Sequence, residues 1–245
     1  MSATASILAR RPATSIAEVV TMLSDIDAQL SDADGLKWFN RLYLDVTLAV
    51  QRAESDGSAF VDRRFLAELD VVFANLYFEA VASDQAQPGT APPAWRPLFL
   101  ARGRPGLTRI QCALAGMNAH INRDLPEAIV RCYRALGGEP SATGVRHDDF
   151  ERVNDILEVV EVQVKPQFAV GVIGAIDAVA APVDDVAAMW SIRAARDAAW
   201  THAQVLWSLE GNPRLRDAFF SSLDRFTGLA GRGLLVPVHH DRALA

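Results

Sequence analysis

The segment GMNAHINRDLPEAIV, residues 116–130, places several polar side chains within an apolar helical pattern. His120 and Asp124 are four residues apart, so in a helix they lie on the same side and can hydrogen bond to each other. An imidazole oriented by a carboxylate is suited to general acid/base catalysis near neutral pH. We therefore predict that His120 is a catalytic acid or base and that Asp124 orients it.

Two asparagines flank the apolar stripe of the same predicted helix. The stripe consists of Leu107, Ile110, Leu114, Met117 and Ile121. Asn118 and Asn122 lie on one edge of this stripe, and His120 and Asp124 lie on the other. A buried amide without a partner costs about 1–3 kcal/mol. We expect both asparagines to be bonded, either to a carbonyl or oxyanion of a ligand or to a neighbouring helix.

Other interpretations of His120 and Asp124 remain open at this level. Pro126 disfavours helical geometry at the residue before it, so Asp124 could be the N-cap of the next helix and His120 an ordinary interhelical hydrogen-bonding residue. Histidine and aspartate at this spacing could also bind a metal in a hydrolase. The remaining histidines form no second paired motif; they are His147, His202, His239 and His240. We therefore predict no metal.

A later segment, MWSIRAARDAAWTHAQVLW, places two arginines in the sector of a helix that Trp200 and Trp207 share. Buried arginines need partners. Arg193 and Arg196 could pair internally, with Asp70, Asp124, Asp149 or Glu161. Alternatively they could hold a negative group of a ligand beside Trp200.

Two other helices also carry polar residues beside aromatic stripes. Asp70 and Tyr77 are seven residues apart in LDVVFANLYFEAV, and Asn40 and Thr47 flank the inward-facing aromatic residues of KWFNRLYLDVT. Each of these two pairs, taken alone, is common in a helical core. Together they indicate helices that each offer one or two polar groups to an apolar interior, which is how ligand sites in helical bundles are built. We include Asp70 and Tyr77 among the substrate-binding candidates.

The spacing of apolar residues predicts an all-α fold, a single-domain bundle of about eight to ten helices. We predict a flexible N-terminus over 1–14, a helical domain over 15–230 and a C-terminal tail or docking arm over 231–245. The predicted helices cover 15–31, 35–55, 62–83, 93–102, 107–123, 125–137, 148–165, 167–181, 183–209 and 213–229.

Composition restricts the partners and the compartment. The 245 residues are 50% hydrophobic with a net charge of −6, which argues against nucleic-acid binding. The apolar run 168–183 contains Asp177 and stops at Pro182, too short for the roughly 20 residues of a membrane span. The two cysteines, Cys112 and Cys132, favour a reducing compartment, and the N-terminus lacks a secretory pattern. We expect a cytoplasmic protein without a membrane partner.

The segments WFNRLYLDVT, LDVVFANLYF, GMNAHINRDLP and WSIRAARDAAW together resemble a family of helical bacterial proteins, frequent in actinobacteria, that is known only as a domain of unknown function. The resemblance runs from about Gly35 to Trp207 and is most distinctive at GMNAHINRDL. It implies a soluble helical fold and directs attention to His120, Asn122, Asp124, Arg193 and Arg196. Some members lie near biosynthetic gene clusters, which favours small-molecule chemistry.

We therefore expect an enzyme of specialised metabolism that acts without a cofactor on a small apolar molecule with a carbonyl or anionic group. Cyclisation, isomerisation and elimination are the reaction types considered. A metal-dependent hydrolase that uses His120 and Asp124, and a small-molecule binding protein without catalysis, are the alternatives. A homo-oligomer is compatible with the sequence.

Overall fold

The computed structural model describes residues 12–169 and 192–237, except for the side chains of 161, 162 and 164–169. The fold is all-α, as predicted, and the described residues contain no strand. The helices are α1 (Ile16–Gln29), α2 (Gly35–Ser55), α3 (Arg63–Ala86), α4 (Arg96–Ala101), α5 (Arg109–Ala119), a π-helix (His120–Asp124), α6 (Leu125–Leu136), α7 (Val145–Ala169), α8 (Ile192–Ser208) and α9 (Pro213–Leu234).

Side-chain caps explain where several helices begin. Ser15 accepts a hydrogen bond from a backbone N–H in the first turn of α1, and Asp34 does the same for α2. Thr108 and Gln111 form a reciprocal capping box at the start of α5. These bonds satisfy N–H groups that have no partner within the helix, so they favour these start points.

Two groups of buried apolar side chains form the core. The first core cluster joins α1, α2, α4, α5 and the second half of α3. The second core cluster joins the first half of α3 to α6, α7 and α8. Ala119 belongs to the first cluster and Ile121 to the second, while Phe73 packs against both. The π-helix that begins at His120 therefore lies where the two clusters meet.

The structure corrects several predicted boundaries. Ala13, which falls in the predicted flexible N-terminus over 1–14, is buried, and its backbone exchanges two hydrogen bonds with Asn75. Helix α7 starts at Val145 and continues past 165, and α9 continues to Leu234, beyond the expected limit at 230. Gln111 Nε2 donates to the carbonyls of Leu234 and Val236, so the chain up to 236 docks on α5.

Some predictions fall outside the described residues. These are the flexible segment 1–11, the helix over 167–181 beyond residue 169, the part of helix 183–209 before 192, and the tail after 237. Within the ranges that are described, no helix combines the length and the apolar character needed to cross a membrane.

Candidate functional site

His120 is buried among aromatic rings from three parts of the chain. The ring of Phe73 lies parallel to the imidazole, with 3.5 Å between the ring centroids. Tyr43 meets it edge-on at 4.6 Å. The other rings are those of Phe39, Trp95 and Tyr77, at 5.6, 6.0 and 6.1 Å. We call these five residues the aromatic enclosure.

The helical repeat places these rings. Phe39 and Tyr43 are four residues apart on α2, and Phe73 and Tyr77 are four residues apart on α3, so each pair shares one face of its helix. Gly116 lets α2 approach α5, because a Cβ at this position would lie 2.3 Å from the ring of Phe39. The glycine in the distinctive GMNAHINRDL segment therefore positions a wall of the enclosure.

Asp124 does not begin a separate helix, so the N-cap interpretation is wrong. Its backbone is helical and its side chain makes no capping bond. The N–H of Leu125 instead bonds to the carbonyl of His120, five residues back, in a π-helical turn that joins α5 to α6. Pro126 has no N–H and would clash in a regular helix interior, which explains the wider turn. Such π-turns inside α-helices are frequent at functional sites.

The predicted contact between His120 and Asp124 forms within this turn. Nδ1 of the imidazole lies 3.1 Å from Oδ2 of Asp124. The same oxygen accepts a hydrogen bond from Nε1 of Trp95 at 2.9 Å, and the other oxygen accepts one from Arg123 at 2.6 Å. The carboxylate is fully buried, so these donors are what make its burial tolerable.

These bonds define the chemical state of the imidazole. The indole and guanidinium groups can only donate, and a carboxylate at Asp124 accepts from both. The His120 tautomer that fits this acceptor carries its hydrogen on Nδ1. Burial lowers the pKa of His120, although Asp124 acts in the opposite direction. The imidazole is therefore neutral near pH 7, with a lone pair on Nε2. Nε2 is buried and has no hydrogen-bond partner among the described residues.

Oη of Tyr43, in the enclosure, and Oδ2 of Asp70 are also buried without a described hydrogen-bond partner, as is Nε of Arg123. Burial, and then the charges of Asp70 and Asp124, raise the pKa of Tyr43 well above its usual value. Burial raises the pKa of Asp70 to about 7. The Thr47 hydroxyl acts in the opposite direction on the pKa of Tyr43, and its own hydrogen goes to the Tyr43 carbonyl at 2.9 Å.

Sequence reasoning selected Asp70 but treated Tyr43 and Phe73 as ordinary core. The four-residue spacing of Phe39 and Tyr43 is the same signal that paired His120 with Asp124, so it could have drawn attention to Tyr43. The stacking of Phe73 on His120 had no signal in the sequence, because it depends on how α3 packs against the π-helix.

The asparagines and Tyr77 form structural hydrogen bonds. Asn118 Nδ2 donates to the carbonyl of Thr227 on α9, and its oxygen accepts from Asn122 Nδ2. The interhelical alternative thus describes Asn118 better than a ligand contact does. Tyr77 donates its hydroxyl hydrogen to Oδ1 of Asn40 at 3.2 Å, while its ring borders the enclosure.

Arg193, Arg196 and Trp200, which were predicted to bind substrate, have partners outside the aromatic enclosure. Arg193 is exposed on α8 and pairs with Asp155 and Glu158 of α7, so its assignment to a buried stripe is wrong. Arg196 is buried as predicted, and burial lowers its pKa to about 10. Its guanidinium donates to Asn154 Oδ1 and to the Phe150 carbonyl, both at 2.7 Å.

Trp200 belongs to the second core cluster, where its indole N–H donates to the carbonyl of Ser141. Over the ranges 12–169 and 192–237, none of these three side chains bonds to His120 or Asp124. The partners proposed for the arginines from the sequence, Asp70, Asp124, Asp149 and Glu161, are not those that these bonds use. The residues that sequence reasoning placed in one pocket therefore fall into separate groups.

Potential metal ligands are dispersed in the described part of the chain. No group of three or more histidine, cysteine, aspartate or glutamate side chains there has the arrangement to hold a metal ion. The nitrogen of His120 that faces Asp124 is occupied by the hydrogen bond between them.

The fold and the site together define an all-α protein with a buried histidine–aspartate pair in a π-helical turn. Residues 16–237 match the model of a family of unknown function, DUF5995, and the chain belongs to this family. The match is longer at both ends than the resemblance at Gly35–Trp207. Comparison with curated proteins found no match. Comparison with solved structures also found none.

Proposed function

We propose that this protein is an enzyme that moves protons on a small apolar molecule without a cofactor, in an isomerisation, cyclisation or elimination. The observation that carries the proposal is the environment of His120. One ring nitrogen is held by Asp124, and the other is buried with a lone pair and no described partner. This is the arrangement expected of a general base.

The surroundings of His120 support the choice of substrate. The aromatic enclosure surrounds His120 with apolar rings, and such surroundings suit a molecule with an apolar, planar part. A buried polar atom without a partner is rare in native proteins and calls for an explanation such as a bound molecule. Nε2 of His120 is such an atom.

The proposal also includes the cellular compartment in which the protein works. Both cysteines are free and buried, Cys112 in the first core cluster and Cys132 in the second. Free thiols are typical of reducing compartments. We infer that the protein works in the cytoplasm, as part of small-molecule metabolism.

Incubation of the purified protein with a small-molecule extract of the cells that make it tests the proposal. Wild type should convert at least one compound into a product of the same formula, or into one that has lost a small neutral molecule. Liquid chromatography coupled to mass spectrometry detects the first change as a new retention time at the same mass, and the second as a loss of mass. In His120→Gln the conversion should fall by about 10²–10⁴-fold, because that is the usual contribution of a positioned acid or base.

The matched control is His147→Gln. His147 is a partly buried histidine on α7 that packs against Trp200 rather than within the enclosure. It should retain wild-type conversion. Conversion that survives in His120→Gln would overturn the proposal. So would an extract that wild type leaves unchanged, and compounds retained without conversion would then indicate the binding protein considered above.

Asp124 acts through His120, so its role is tested by pH dependence. Burial lowers the pKa of His120, and the hydrogen bond and charge of Asp124 partly offset this effect. In Asp124→Asn the acidic limb of the kcat/KM profile should therefore move to lower pH, since this limb reports the free-enzyme base. A lower rate with an unmoved limb would show that Asp124 has only a structural role.

A further inference from the structure

Three buried polar atoms without a described partner come from neighbouring elements. Nε2 belongs to His120 in the π-helix, Oη to Tyr43 on α2 and Oδ2 to Asp70 on α3. The rings of His120 and Tyr43 are 4.6 Å apart, and the charge of Asp70 acts on the Tyr43 hydroxyl. Asp70 is one helical turn before Phe73, which stacks on His120.

The three groups have complementary hydrogen-bonding capacities. His120 offers a lone pair on Nε2. Tyr43 keeps its proton, because burial and nearby carboxylates raise its pKa, so its hydroxyl can donate. Burial raises the pKa of Asp70 to about 7, so a substantial share of this carboxyl group is protonated at neutral pH and can also donate. The three groups thus comprise one acceptor and two donors, a division that suits acid/base chemistry on a single molecule.

The charges around these atoms disfavour an anionic ligand. The charges of Asp70 and Asp124 both act on the Tyr43 hydroxyl, and the charge of Arg123 is balanced by its bond to Asp124 and by Asp224 at 3.8 Å. Arg193 pairs with acidic residues at the surface, and the donors of Arg196 bind Asn154 and Phe150. Because Arg193 and Arg196 bind other groups of the protein, they do not balance the charge of an anionic ligand, and a neutral carbonyl group fits the site better than a charged one.

We propose that the site takes a neutral, planar carbonyl compound with an acidic C–H next to the carbonyl group. Tyr43 Oη and the Asp70 carboxyl donate hydrogen bonds to the carbonyl oxygen, and His120 Nε2 removes the proton from the adjacent carbon. This inference rests on the proposed acid/base function and adds to it a substrate class and two catalytic residues.

The step balances without a further reactant. The C–H proton moves to Nε2, and the C–H electron pair becomes the carbon–carbon double bond of an enolate. The carbonyl π pair moves to oxygen, where the two donors stabilise the negative charge. Return of the proton from His120 to a different carbon completes an isomerisation, and nothing is oxidised or reduced.

Binding of 4-nitrophenol tests the inference, because a phenol has the planar shape and oxygen position of an enol. Titration followed by the absorbance of the phenol should show one site in the wild-type protein. Tyr43→Phe and Asp70→Leu should each weaken binding by about 10-fold or more, since neither new side chain can donate a hydrogen bond to the partly charged oxygen. Tyr133→Phe, which alters a tyrosine of the second core cluster, is the matched control and should bind like wild type.

The outcomes separate this inference from the proposed function. Absence of 4-nitrophenol binding to wild type would overturn the substrate class, even if His120→Gln abolishes conversion of the extract. So would an affinity equal to that of wild type in Tyr43→Phe and Asp70→Leu. Conversely, binding that depends on Tyr43 while conversion is independent of His120 would overturn the acid/base function and leave a binding site. Thermal unfolding without the probe checks folding, and both variants should be at least as stable as wild type.

Discussion

Replacement of Asp70 by asparagine should stabilise the protein at neutral pH and have a smaller effect in acid. The ordinary pKa of the carboxyl is 3.8, and burial raises it to about 7 in the folded protein. At 1.36 kcal/mol per pKa unit, this difference corresponds to at most about 4 kcal/mol. The folded state therefore loses up to that much stability in wild type when Asp70 ionises.

The direction of this pH dependence follows from the number of protons that the folded and unfolded states bind. Below about pH 3.8 the carboxyl is protonated in both states, and ionisation contributes nothing. Between about pH 4 and pH 7 the folded protein holds more protons than the unfolded chain, so the free energy of unfolding of wild type falls as pH rises. Asparagine cannot ionise, and the advantage of Asp70→Asn should grow through this window and level off above it.

Urea unfolding followed by tryptophan fluorescence at pH 5, 6, 7 and 8 measures this difference. Subtraction of wild type from Asp70→Asn cancels the other titrating groups, which are common to both proteins. Ser83→Ala, on the same helix, is the control. It removes no ionisable group, so its difference from wild type should be equal at each pH. An Asp70→Asn difference that is constant, or that shrinks as pH rises, would refute the assigned burial of Asp70.

Three other predictions follow from the site and its surroundings. Gly116→Ala should lower the free energy of unfolding by about 1–3 kcal/mol, because the added methyl group would overlap the ring of Phe39. The control is Gly233→Ala on α9, where the position is exposed and no atom lies near the added methyl group. This substitution should be neutral or stabilising. NMR of the ring nitrogens should show a neutral His120 at pH 7, with a pKa below 6.5 and an unprotonated Nε2. A ring that carries both protons at pH 7 would contradict a pKa lowered by burial. In chemical unfolding, Arg196→Ala should lower the free energy of unfolding by about 1–3 kcal/mol, because two buried hydrogen bonds are lost. Arg193→Ala, at an exposed position, should behave almost like wild type. Equal effects of the two substitutions would contradict the different placement of the two arginines.

The central pair of the candidate site was predictable because it is local. His120 and Asp124 are one turn apart, and the capacity to touch needs only a continuous helix. The nature of that turn was harder to predict. Pro126 indicated a break between two helices, whereas the chain accommodates it in a π-turn and continues.

The surroundings of the pair were less accessible to sequence reasoning. A helical wheel groups the residues of one helix but does not say which neighbour covers each face. Arg193 and Arg196 were therefore assigned to one buried sector, although the first meets acidic side chains at the surface and the second binds Asn154. Asn118 was identified as a polar residue in need of a partner, but its partner, Thr227, is on a distant helix.

The amino-acid sequence by itself determined the all-α class, most helix positions and the pairing of His120 with Asp124, because caps, apolar repeats and one-turn contacts act over a few residues. Only the tertiary structure decided that Trp95 donates to Asp124 and that Phe73 stacks on His120. It also decided that Tyr43 and Asp70 carry buried atoms without a described partner. These relations join separate helices, and they depend on how the helices pack rather than on the propensity or periodicity of any one of them.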